Sequence, residues 1–273
     1  MGQPRILMCP PDHFGIEYEI NPWMSRERAS HRERAAAQWG SLVEVLRGLG
    51  ATIDLLEPRA GLPDLVFTAN AGLVFGRRVF LSSFRHEVRA REAPVFAAWF
   101  EGHGFEVERL PEGMSFEGAG DALFCGRALF AGYRIRSDVR GHQDLAKRLG
   151  RLVLPLELVH PSFYHLDTCF CPLAPGEAMY FPEAFDGYGR KVLKAHVPKL
   201  LAVGEEEARK FACNAVVVGR TVVLHAGCGR TEAGLRSWGY EPVGVELDEF
   251  HKAGGSAKCL TLRLDGEDAA VWE

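Results

Sequence analysis

The sequence predicts an α/β fold in which five ββα units, each with one further strand, close into a ring around a central pocket. Three observations carry this. A short polar residue recurs ahead of paired apolar runs at Asn70, Asp121, Asp167 and Asn214, about 45–51 residues apart, and Cys259 stands a similar distance further on. A fixed period of this size marks a repeat array. A helical pattern follows each pair, and the fifth unit can be completed only from the two ends of the chain. Ile6-Leu7-Met8-Cys9 would then lie beside the strand after Cys259. Such closure covers both edges of the array.

Taken in order, 29–49 is a helix with Ala36, Trp39, Leu42, Val43, Leu46 and Leu49 on one face and Gly50 as its stop. Residues 71–75 and 78–81 flank Gly76-Arg77; 122–125 and 128–131 flank Gly126-Arg127; 215–218 and 221–224 flank Gly219-Arg220. A two-residue Gly-X step between apolar runs signals a hairpin. In the fourth unit a Pro/Gly loop separates 168–171 from 178–181. Helices are expected over 85–104, where Val88, Val95, Phe96, Trp99 and Phe100 are close to helical spacing, and over 137–150, 183–200 and 229–240. No linker or low-complexity stretch interrupts the pattern, so 1–273 is expected to be a single domain.

Composition restricts the function. The chain has 273 residues, 47% hydrophobic and 25% charged, with a formal net charge of -4. That balance argues against nucleic acid or a membrane surface as a partner. No apolar run reaches the roughly 18 residues of a membrane span, and the apolar run after Met1-Gly2-Gln3-Pro4-Arg5 is short for a signal peptide. Seven cysteines, an odd number, fit reduced thiols and a cytoplasmic setting. Cys169 and Cys171 look like a metal pair, but one residue apart on a strand they face opposite sides. No metal site is expected.

In a ring of like units, the same point of each repeat converges on the axis. Those points carry Asp64 and Asn70, Glu117 with Gly118 and Gly120, His165 with Asp167, and Cys259 at the end of Gly254-Gly255-Ser256-Ala257-Lys258. The glycine pair suits positive φ and close approach of a ligand, and Lys258 would favour a thiolate. His165 also fits an ordinary histidine near a strand start. Asp121 and Asn214 read as turn formers bonded to local backbone. Asp167, two residues after His165, can share its side of a strand. Cysteine with histidine and acids is the logic of covalent catalysis. Several carboxylates around a thiolate suit a planar cation rich in N–H donors, namely guanidinium.

Phe116-Glu117-Gly118-Ala119-Gly120-Asp121, His165-Leu166-Asp167 and Gly254-Gly255-Ser256-Ala257-Lys258-Cys259 resemble the guanidino-group modifying enzymes: arginine deiminases, dimethylargininases and amidinotransferases. The resemblance covers nearly the whole chain and implies the pentein fold, a five-bladed α/β propeller around a central active site. It implies Cys259 as nucleophile, His165 as general acid/base, and Glu117 and Asp167 as holders of the guanidinium nitrogens. Asp64 would lie near the substrate's amino-acid end. Arg85 and Arg136 match arginines that bind the substrate carboxylate; without the resemblance they read as exposed charge. A bidentate carboxylate clamp suits arginine better than lysine.

One departure is informative. Deiminases and dimethylargininases carry an Asp where Asn70 stands in Phe67-Thr68-Ala69-Asn70. A neutral amide can donate to a ureido oxygen, which a carboxylate cannot. Together with Met8-Cys9-Pro10-Pro11-Asp12-His13-Phe14 and Glu19-Ile20-Asn21-Pro22-Trp23-Met24, this resembles the arginine dihydrolase subgroup, which takes arginine to ornithine, carbon dioxide and two ammonia. The N-terminal segment reads either as a lid or as an entry loop anchored by Trp23. The resemblance implies an arginine-directed hydrolase acting on a small guanidino substrate without metal or organic cofactor. Alternatives are a dimethylargininase-like or deiminase-type hydrolase, an amidinotransferase, or a non-catalytic pentein binding module. Oligomeric state stays open, a homo-oligomer included.

Overall fold

The computed structural model describes residues 3–271. Its strands form five separate three-stranded sheets of one pattern, an antiparallel pair with a third strand added in parallel to the inner member. Three of the sheets join Gly72–Phe75, Arg78–Leu81 and Glu106–Arg109; Ala122–Cys125, Ala128–Tyr133 and Leu152–Glu157; and Val216–Val218, Thr221–His225 and Glu241–Val245. The parallel strand of each follows an outer helix, because a parallel partner requires a crossover. The helices are Ala93–Gly102, Val139–Leu149 and Gly229–Ser237, with Gly187–His196 in the fourth unit and Arg32–Gly48 in the first. Helix Arg32–Gly48 buries Ala35, Leu42, Val43 and Leu46.

The first sheet uses both ends of the chain, as the repeat pattern requires. Arg5–Met8 is parallel to Thr52–Leu55 and antiparallel to Leu262–Arg263, with Ile6 opposite Arg263 and Leu7 opposite Leu262. The fourth sheet departs from expectation. Its hairpin pairs Phe170–Ala174 with Glu177–Tyr180 around a tight Pro175-Gly176 turn rather than a longer loop. Pro172 stays inside the strand because it pairs with Ala178 where the register is irregular, and there a missing N–H is tolerated.

Hydrogen bonds between successive axial turns close the ring. Asn70 Nδ2 donates to Glu117 O (3.2 Å), Leu166 N to Asp121 Oδ1 (3.0 Å) and Asn214 Nδ2 to Asp167 O (3.1 Å). Lys258 N donates to Asn214 O (3.2 Å), and Ala69 N to Cys259 O (3.2 Å). Three of the turns are short 3-10 helices, Thr68–Ala71, Gly118–Gly120 and Leu166–Thr168. Apolar side chains fill the space between neighbouring sheets, with Phe80, Phe96, Phe100 and Phe130 fully buried. Truncating one such ring to Ala costs on the order of 3–5 kcal/mol, so the axial turns rest on a rigid frame.

Candidate active site

The turn carrying Cys259 is set by its neighbours. Gly254 has φ +86°, and a Cβ there would lie 2.7 Å from Tyr164 Oη, whose hydroxyl donates to Gly254 O at 2.7 Å. The close approach that demands glycine is therefore to Tyr164. Asn214 Oδ1 accepts from Ser256 N (3.0 Å) and Cys259 N (3.1 Å), while Asn214 Nδ2 lies 3.0 Å from Cys259 Sγ. The thiol donates to Asp167 Oδ2 at 3.2 Å. Burial, then the Asp167 charge, pushes the Cys259 thiol well above its ordinary pKa. Lys258 does not counter this, contrary to expectation. Its ammonium is paired with Glu267. Burial also raises Asp167, to about 7, against the lowering pull of the Cys259 hydrogen bond.

Glu117 and His165 meet across the ring. His165 Nε2 is 2.7 Å from Glu117 Oε2, and Arg136 Nη1 is 3.0 Å from the same oxygen. Burial works to raise the Glu117 carboxyl, but Arg136 and the His165 hydrogen bond outweigh it and hold it well below the usual range. An ionised carboxylate only accepts, so Nε2 carries the hydrogen. Glu117 is placed by its neighbour in sequence: Gly118 takes φ +59°, and a Cβ there would lie 2.8 Å from the Gly72 backbone. Asp121 and Ser137 brace the pair. Ser137 Oγ donates to Asp121 Oδ2 (2.6 Å) and accepts from Glu117 N (3.0 Å). Asp121 is thus a cross-repeat brace, not a local turn former.

A second charged group lies at the other end. Arg89 donates through Nε and Nη2 to Glu92 (2.9 and 2.8 Å), through Nη1 to Asn70 Oδ1 (3.0 Å), and through Nη2 to Asp64 O (3.3 Å). Asp64 Oδ2 is 3.7 Å from Arg89 Nε. All four residues are buried. Burial raises Glu92 to about 7 and raises Asp64 as well. The Arg85 side chain is exposed, and only its backbone N–H reaches Glu117 Oε1, at 3.2 Å.

Between these groups lies a small cavity lined by Asp64, Asn70, Arg89, Arg136 and Tyr164 and reaching Cys259. The N-terminal segment covers it with Ile20, Asn21 and Met24. That segment is pinned on three sides. Arg136 Nη2 donates to Ile20 O (3.0 Å), Asn21 Nδ2 to Ala253 O (3.0 Å) and Trp23 Nε1 to Ser162 O (2.6 Å). Trp23 also packs on Phe211, with ring centroids 4.7 Å apart. It therefore anchors the segment that covers the cavity. Among the described residues, Asp64 Oδ1, Asp167 Oδ1 and Arg136 Nε are buried without a hydrogen-bond partner.

The model of the family N,N dimethylarginine dimethylhydrolase, eukaryotic, matches residues 10–264. The chain belongs to this family. Among dimethylargininase relatives, N(G),N(G)-dimethylarginine dimethylaminohydrolase of Mycobacterium tuberculosis is 40% identical over 95% of this chain and 85% of its own. The bifunctional arginine dihydrolase/ornithine cyclodeaminase AgrE of Nostoc sp. is 49% identical over 95% of this chain, and ArgZ of Synechocystis sp. 48%. The chain spans 38% and 37% of those two relatives' own length. The substrate-bound structure of the N-terminal domain of ArgZ, a cysteine-to-serine variant described as an arginine dihydrolase, superposes with TM-score 0.93 at 47% identity, covering 97% of this chain and 99% of that one. The pentein architecture that the family resemblance implies, and the ring of five units expected from the repeats, are thus shown.

Within this dimethylargininase frame, reasoning from sequence missed three residues at the site. Arg89 and Glu92 pair three residues apart, Arg89 in the short helix Glu87–Ala90 and Glu92 just ahead of helix Ala93–Gly102, and in sequence such a pair resembles ordinary surface charge. Asn214, expected as a local turn former, instead bonds Ser256 N, Cys259 N and Asp167 O across repeats; its ring position is the signal that it faces the axis.

Proposed function

We propose that this ring is a single catalytic unit hydrolysing the guanidino group of arginine by covalent cysteine catalysis, as an arginine dihydrolase. The observation that carries the reading is the cavity's polarity. It offers a buried, unpartnered carboxylate oxygen on Asp64 and a guanidinium nitrogen on Arg136, and beside Cys259, where the cavity ends, Asp167 Oδ1 is likewise buried without a partner. A ligand that satisfies this set is cationic and donor-rich at the Cys259 end and zwitterionic at the other. Arginine has that pattern. The first relatives support it: AgrE and ArgZ are bifunctional arginine dihydrolases, and solved structures include AgrE with L-arginine and an asparagine-to-serine variant of the ArgZ domain covalently bound to a reaction intermediate.

Asp167 and Glu117 hold the guanidinium nitrogens, and its positive charge beside the sulfur favours the thiolate. Sγ attacks the guanidinium carbon, and the C–N bond breaks as His165 protonates the departing ammonia. Water, activated by His165, then adds and the S–C bond breaks, leaving citrulline. A second round on the ureido carbon forms ornithine, carbon dioxide and a second ammonia. Thiolate and general acid/base suffice for both rounds. Asp64 faces the α-ammonium, and Arg89 with Arg136 the carboxylate.

Cys259→Ser tests the reading. Turnover of arginine should fall by orders of magnitude, with arginine still raising the melting temperature. Retained turnover overturns it. Products from wild type decide the number of rounds: ornithine supports a dihydrolase, citrulline alone a deiminase.

A further inference from the structure

Asn214 lies outside the residues assigned above, yet every polar atom of its side chain is engaged. Two backbone donors, Ser256 N and Cys259 N, converge on Oδ1 at 3.0 and 3.1 Å. An amide nitrogen cannot accept them, so the oxygen must face the turn and Nδ2 must face Cys259 Sγ. The N–H to sulfur separation is 3.0 Å, and the second amide hydrogen goes to Asp167 O at 3.1 Å. Asn214 is fully buried.

The Ser256 backbone also favours an anion at the sulfur, but the other side chains around it do little for one. Asp167 is an acid at 3.2 Å, Lys258 is engaged by Glu267, His165 is bonded to Glu117, and the Tyr164 hydroxyl donates to Gly254 O. The Asn214 N–H is the side-chain donor on the sulfur.

We propose that Asn214 is a catalytic residue of this site: its amide N–H donates to Cys259 Sγ and favours the thiolate, while its oxygen clamps the turn that carries the sulfur. The inference rests on Cys259 being the nucleophile. The thiolate, not the thiol, is the attacking species, and a hydrogen bond to a buried charged group shifts that equilibrium about ten- to a hundredfold.

The test reads the thiol and not turnover, so it stands even if arginine is not the substrate. The rate of Cys259 alkylation by iodoacetamide, followed by peptide mass spectrometry, is compared as a function of pH in wild type, Asn214→Asp and Asn214→Ser. Asn214→Asp keeps an acceptor for both backbone N–H groups but loses the donor. Asn214→Ser keeps a hydroxyl but on a side chain one bond shorter, so it withdraws the donor from the sulfur without adding charge. A fall of about ten- to a hundredfold at matched pH in both variants supports the proposal. A fall in Asn214→Asp alone would assign the effect to added charge, and a fall in Asn214→Ser alone to the clamp. Either overturns it. If Asn214→Asp does not fold, a wild-type rate in Asn214→Ser overturns it by itself.

Discussion

Glu117 Oε2 lies 3.0 Å from Arg136 Nη1 and 2.7 Å from His165 Nε2. One carboxylate oxygen therefore neutralises a buried guanidinium and orients the histidine. Glu117→Gln removes the charge but keeps the shape. Arg136 is then buried without a counter-ion, a loss on the order of 3–5 kcal/mol. Turnover should drop about a hundredfold or more, the scale of general acid/base catalysis. Because the folded carboxyl is held below its unfolded value, its stabilisation is fully present above the unfolded pKa. It is lost progressively as pH falls from the unfolded pKa to the folded one. The gap in denaturation free energy between wild type and variant should therefore be flat around neutrality and narrow steadily once pH falls below the ordinary carboxylate range. A gap that instead widens toward acid would contradict this ion pair.

Arg85 and Arg89 separate by geometry. Arg85 is exposed, whereas Arg89 is buried against the cavity with Glu92 and Asn70 as partners. Arg85→Ala should leave KM for arginine close to wild type. Arg89→Lys keeps charge but cannot reproduce the guanidinium fork. Its KM for arginine should rise about tenfold or more, the size of a lost charge-assisted bond. Agmatine, which lacks the carboxylate, should be much less affected. Equal effects on both substrates would assign Arg89 a purely structural role.

The two arginines also show what the sequence made legible. The ring was readable because its signal is a period: hairpin, helix and polar residue return at nearly constant spacing, so Glu117, His165, Asp167 and Cys259 fall on the axis by position alone. Arg89 was not, because an arginine in a short helix after a hairpin looks the same whether it faces solvent or the axis. Its direction is set by tertiary contacts with Asp64 and Asn70. Lys258 failed the other way. Adjacent in sequence to Cys259, it reaches Glu267 instead. Adjacency on a turn does not determine which way a long side chain points.

Asp167 links activity to pH. Burial raises its carboxyl to about 7, and it must be ionised to hold a guanidinium. Its protonated form is favoured below that value, so arginine binding should weaken as pH falls through about 7. The inactive Cys259→Ser variant, which keeps a hydroxyl donor at the same place, allows binding to be measured by calorimetry without turnover. Affinity should drop about tenfold for each pH unit on the acid side. Affinity that stays level between neutral and mildly acid pH would mean that Asp167 is ionised throughout and that its contacts outweigh burial.

Asn70 is held from two sides: Arg89 Nη1 donates to its Oδ1 at 3.0 Å, and its Nδ2 donates to Glu117 O at 3.2 Å. Arg89 thereby fixes which way the amide faces, and the second Nδ2 hydrogen remains for the cavity, which Asn70 lines. Asn70→Asp keeps the bond from Arg89 but sets an acceptor against Glu117 O and against any ureido oxygen. Guanidinium, all donors, still finds a partner. The first round should persist, and the second should slow about tenfold or more, the cost of a buried group left unpaired. Citrulline should then accumulate in place of ornithine. Amino-acid chromatography of products from arginine at low conversion measures the ratio in wild type and variant. An unchanged ratio, with ornithine from both, would show that ureido hydrolysis does not depend on this amide.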